Sequence, residues 1–144
     1  MYLLKILLFC FVTATAGATD KVIVSLNISG YSLTAEVAHT PISRAKGLMH
    51  RDSLGENSGM LFVFPKTDRH SMWMLNTHIP LSVAFVDNNG IILNIADMTP
   101  HTKTAHSSVG LAKYALEVNQ GWFFARDIQA GEKISGLVQA PAAE

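Results

Sequence analysis

The sequence predicts an α+β fold: a mostly antiparallel β-sheet, curled or partly closed into a barrel, with one main helix. Three observations lead there. About eight short runs are apolar or alternate between apolar and polar, each bounded by turn residues. The stretch beginning at Thr40-Pro41 carries a helix-start signature and reads as the one real helix. Few connections are long, so most neighbouring strands must run antiparallel.

Val22, Val24, Leu26 and Ile28 alternate with polar residues, and after Ser29-Gly30 the pattern resumes over residues 31–37, which predicts a hairpin. Thr40 is an N-cap and Pro41 occupies the first helical position, where its missing N–H costs nothing. The helix is expected to run towards Met49, with Ile42, Ala45 and Met49 on its buried face. Residues 59–64, ended by Pro65, and residues 71–75 are continuous apolar runs that read as buried strands, with Trp73 in a structural role. Residues 82–86 and 91–95 flank Asp87-Asn88-Asn89-Gly90, residues that tolerate a tight reversal, and form a second hairpin. A long polar loop over 99–108, a strand over 114–118, a helical turn over 122–127 and a last strand over 132–138 complete one domain, residues 19–138. Residues 139–144 are an Ala/Pro tail, expected to be flexible.

Residues 1–18 follow the logic of a secretory signal: Lys5, an apolar core over 6–12, then small residues to Ala18. The apolar stretch is about ten residues, half of the roughly 20 that a spanning helix needs, so cleavage near Ala18 is expected to leave no stable membrane anchor. The expected location is therefore outside the cytoplasm, periplasmic or extracellular. The single cysteine, Cys10, falls inside this leader, and the bulky Phe9 before it does not suit lipoprotein processing. The exported domain then has no disulfide and no thiolate ligand, and depends on its core. Lys plus Arg equals Asp plus Glu, and no basic tract invites nucleic acid.

Three ordered segments, Arg44-Ala45-Lys46-Gly47-Leu48-Met49-His50-Arg51, Gly59-Met60-Leu61-Phe62-Val63-Phe64-Pro65 and Trp73-Met74-Leu75-Asn76-Thr77-His78-Ile79-Pro80-Leu81, together with residues 114–122, resemble the family known as domain of unknown function 192, or DUF192. The resemblance spans nearly all of the chain beyond the leader. It implies a fold and frequent export, and no agreed activity, substrate or cofactor. The family usually has Asp after Ile-Pro-Leu, whereas this chain has Ser82, which places any role of that carboxylate in doubt here.

Asn76 and Thr77, followed by His78, lie between an apolar run and Pro80, where they serve either as turn formers or as ligand donors and acceptors. Arg51 is positioned to clamp a carboxylate or phosphate, or to pair with Glu117 or Asp52. The leading expectation is a ligand-binding or accessory module of the envelope, with Arg51, Asn76, Thr77 and Glu117 around a small anionic ligand or envelope component, and no cofactor. One alternative is an envelope hydrolase with Glu117 or Asp97 as acid/base. Another is a periplasmic copper protein, since a strand over 70–74 places His70, Met72 and Met74 on one face and thioethers with imidazole suit Cu(I). Relatives often carry Phe at the position of Met72, and a Met-rich strand is ordinarily core. His101, His106 and Asp97 lack a recognised zinc spacing and read as solvated loop residues. No Gly-x-Ser-x-Gly elbow or Gly-rich phosphate loop is present.

Overall fold

The computed structural model describes residues 20–144, so the expected leader lies outside the described residues. In chain order the elements are β1 (Ile23–Ile28), β2 (Tyr31–Ala38), α1 (Pro41–Lys46), β3 (Ser58–Asp68), β4 (Ser71–Met72), β5 (Leu81–Val86), β6 (Ile92–Met98), β7 (His106–Ser107), β8 (Ala112–Asn119) and β9 (Ile134–Ser135). Seven strands form one sheet in the order β6-β5-β8-β3-β2-β1-β9, while β4 and β7 pair as a separate ribbon. Every pairing in the large sheet is antiparallel except β2 with β3, whose crossover contains α1. An isolated bridge between Ile91 and Lys133, with Ile134 N–H donating to Gly90 O, joins the β9 edge to the start of β6. The sheet is thereby curled into a partly closed barrel of mainly antiparallel strands with one short helix, as the sequence predicts.

Successive residues of a strand point to opposite faces, and two cores follow from this. The inner one gathers Leu26, Ile28, Leu33, Leu61, Leu116 and Phe123. The outer one gathers Met60, Phe62, Leu81, Val83, Phe85 and Ala115, and is covered by Leu48, Met74, Ile79 and Met98. All six residues of β5 are buried, which is why its sequence runs apolar without strict alternation.

Several local expectations are corrected. Helix α1 is six residues long and buries none of them: Ile42 is 82% exposed and Ala45 is also exposed. Gly47, at φ 48°, ends the helix, and Leu48 in the following turn supplies the buried contact instead. The helix is fixed by its capping box between Thr40 and Ser43 and by the Arg44 guanidinium, which donates to His39 O and Val63 O. Strand β3 passes through Pro65 to Asp68, because its pairing with β8 is interrupted between Val63 and Asp68 and no ladder N–H is required there. Residues 71–75 are not a buried strand. Only Ser71 and Met72 pair, Trp73 is 50% exposed, and Met74 is buried from a loop. The last strand is confined to two residues, since Gly136, at φ 96°, turns the chain into a 3-10 turn over Leu137–Gln139. The expected flexible tail is docked: Ala140 and Ala143 pack on the inner core, and Glu144 donates to His39 O and accepts from Arg44.

Candidate functional site

The pairing registers place Glu36, Met60, Glu117 and Val83 side by side across β2, β3, β8 and β5. With Met60 and Val83 in the outer core, this row faces outward, beneath α1 and the turn after it. Close approach of β3 to β8 at this row requires Gly59, where a Cβ would lie 2.6 Å from Glu117 O.

Glu117 is 3% exposed, and no group among the described residues hydrogen-bonds its carboxyl, whose oxygens keep some access to solvent through a crevice. Burial pushes its pKa up to about 8, so near neutrality the group is largely a protonated acid, one donor with acceptor capacity. It lines a crevice of about 40 Å³ with Gly47, Met49, Phe62, Met72, Trp73 and Thr77. That is room for a water molecule or for the narrow tip of a ligand. Thr77 is buried and its hydroxyl donates to Leu75 O at 3.0 Å, leaving acceptor capacity.

Arg51 lies on the other side of Gly47, in a cleft of about 410 Å³ that also contains Lys21, Glu36, Lys46 and Met60. Lys46 and Gly47 line both spaces, so the end of α1 divides them. Arg51 does not pair with Glu117 or Asp52. Its two terminal nitrogens donate to the two oxygens of Glu36, each at 2.7 Å, and this fork holds the Glu36 carboxyl down at about 2. Asn76 is exposed at φ 51°, and its carbonyl accepts from His50 N–H. It is a turn residue lining neither space. Of the four predicted site residues, the fold thus brings together Thr77 and Glu117, sets Arg51 in the adjoining cleft, and leaves Asn76 outside both.

The other candidates separate as well. Asp97 accepts from Ser82 Oγ at 2.5 Å, and Ser82 Oγ in turn accepts from Gly121 N–H. Ser82 adjoins outward-facing Val83 on β5, so Asp97 and Glu117 lie on opposite faces and make no carboxylate pair. The copper set is dispersed: His70 stacks on Phe64 and bonds Lys66 O through Nε2, Met74 is fully buried, and Met72 alone reaches the crevice. His106 pairs with Met72 in the ribbon, whereas His101 faces His78. Glu36 and Met49 are not among the site residues that the sequence predicts. The outward parity of Glu36 on β2 was the available signal, but its partner depends on how the turn after α1 returns over the sheet.

Two solved structures share this fold. One, from Sinorhizobium meliloti 1021 and described as a candidate transcription regulator, is 31% identical with a TM-score of 0.81, covering 86% of this chain and 100% of its own. The other, a protein of unknown function from Novosphingobium aromaticivorans DSM 12444, is 32% identical with a TM-score of 0.76, covering 83% of this chain and 89% of its own. No curated protein matches the chain. The family model for DUF192, described as "Uncharacterized ACR", matches residues 24–136, and the chain belongs to that family.

Proposed function

We propose that the chain is a small ligand-binding module of the cell envelope, with the Glu117 crevice as its recognition point. The observation that carries this reading is a buried carboxyl without a partner that opens onto a crevice. A ligand group in the crevice would give this carboxyl a hydrogen bond in surroundings that burial has largely dried, where such a bond is worth more than in water. A protonated acid suits an uncharged tip, a hydroxyl or an amide, that both donates and accepts. Trp73, half exposed at the rim, offers a flat apolar platform for the body of such a ligand. An anionic ligand would require Arg51 to leave Glu36, so the uncharged tip is the better fit. The envelope setting is supported by the leader pattern in residues 1–18, and the intact mass of protein recovered from its native host should begin near Thr19.

A second reading, Glu117 as a general acid, is favoured by its raised pKa. It lacks support from a partner, since Asp97 stands on the opposite face. Native mass spectrometry of protein purified from its own envelope tests the binding reading. We expect an adduct on the wild type that Glu117→Leu loses; a bare wild type, with no shift of Trp73 or Met49 resonances on adding soluble envelope glycan and peptide fragments, defeats it.

A further inference from the structure

Three histidines far apart in the sequence, His50, His78 and His101, meet at exposed loop tips. His78 Nδ1 and His101 Nε2 are 2.9 Å apart. The ring centroid of His50 lies 6.5 Å from that of His78. The loops bearing them are tied together through their backbones: His50 N–H donates to Asn76 O, His101 N–H to Thr77 O, and Met74 N–H to Thr102 O. His50 and His101 both adopt positive φ, 65° and 60°, a region that L-residues enter at a cost and that these ties maintain. The rings are therefore presented from a braced set of turns.

Two imidazole nitrogens facing each other at this distance are joined by a hydrogen bond, which one divalent metal ion held by both rings would replace. With metal–nitrogen bonds of about 2.0–2.1 Å, two ligands of a tetrahedral ion stand about 3.3 Å apart, so the rings need part by only a few tenths of an ångström. Imidazoles without thiolate suit zinc, nickel and copper(II) rather than calcium or magnesium. Among the described residues no three such side chains already surround one point, so the arrangement is a two-imidazole chelate with a third imidazole within reach of a side-chain rotation. We propose that His78 and His101 chelate a divalent transition-metal ion at these loop tips, with His50 supplying a third nitrogen. On binding, the ring that donates in the His78–His101 hydrogen bond carries its proton on its other nitrogen instead, so that both facing nitrogens supply lone pairs, and water completes the coordination. The inference is independent of the Glu117 reading, because none of the three histidines lines that crevice.

Calorimetric titration of chelator-stripped protein with Zn²⁺ tests it. We expect one ion per chain, with affinity falling by at least about tenfold in His78→Gln and in His101→Asn, and by less in His50→Asn. Asn tolerates positive φ, so the two Asn variants keep the loop conformation. His70→Gln and His106→Gln, which lie outside the cluster, should bind as the wild type does. A measurement on unmodified protein guards against misfolded variants: substoichiometric Ni²⁺ should broaden the ring resonances of His78 and His101 before those of His70 and His106. Absence of saturable binding, binding that survives the His78→Gln/His101→Asn double variant, or broadening that begins elsewhere overturns the proposal.

Discussion

Single residues here divide into those whose chemistry the fold uses and those whose geometry it uses. Asn76 belongs to the second kind: its side chain is exposed, but its φ of 51° and its carbonyl bond to His50 N–H set the turn that carries Thr77 into the crevice. Asn76→Gly should therefore be nearly neutral in a urea melt, whereas Asn76→Val should cost about 1–2 kcal/mol, since a β-branched side chain resists that region. Equal stability of the two variants would show that the turn imposes no such demand. Trp73 behaves oppositely to its sequence expectation. Removal of a buried tryptophan costs about 3–5 kcal/mol, but at 50% exposure Trp73→Ala should cost about 1 kcal/mol or less and weaken ligand binding instead. A steep drop in melting temperature would return Trp73 to the core.

At the scale of elements, what could be read from sequence was what local physics decides. The β1–β2 and β5–β6 hairpins follow from alternation and from turn residues, and the α1 start from Thr40 and Pro41, because each signal spans only a few positions. The parallel β2–β3 pairing, the two-residue β4 and β9, and the bridge that curls the sheet depend on partners far along the chain. The site divides the same way. Glu117 was recognisable as a candidate carboxylate, but its isolation from Arg51 is a consequence of register, with Met60 standing between Glu36 and Glu117. That register rests on Gly59. An added Cβ there meets Glu117 O at 2.6 Å and Val118 Cγ1 at 3.1 Å, and a central backbone carbonyl cannot swing aside. Gly59→Ala should destabilise by about 1–3 kcal/mol in denaturant titration. Gly110→Ala, whose Cβ would find Leu93 at an ordinary 3.6 Å, is the control and should change little.

For the whole molecule, the two carboxyls of the outer row impose opposite pH dependences, and their sum predicts the stability profile. Glu36 is held at about 2 by the Arg51 fork, below its ordinary 4.5, so its contribution is complete above 4.5 and lost as pH falls towards 2. Its side chain is about a quarter exposed, and solvent screening limits the pair to about 1 kcal/mol. Glu117 has the reverse sign. Burial lifts it from 4.5 to about 8, so the folded state binds the proton more tightly than the unfolded chain, and the advantage present below 4.5 is lost as pH rises through 8. That displacement corresponds to on the order of 5 kcal/mol, a large part of the total stability of a small domain. The Glu117 effect therefore dominates, and stability should be greatest near pH 4 to 5 and decline by several kcal/mol towards pH 8. Urea denaturation at pH 5, 6.5 and 8 measures it directly. In Glu117→Gln, which keeps the shape and removes the ionisation, the decline should flatten, and at pH 8 the variant should be more stable than the wild type. Parallel profiles for the two proteins would mean that Glu117 ionises in the folded state without penalty, and the crevice would then hold a charged group in place of a neutral acid.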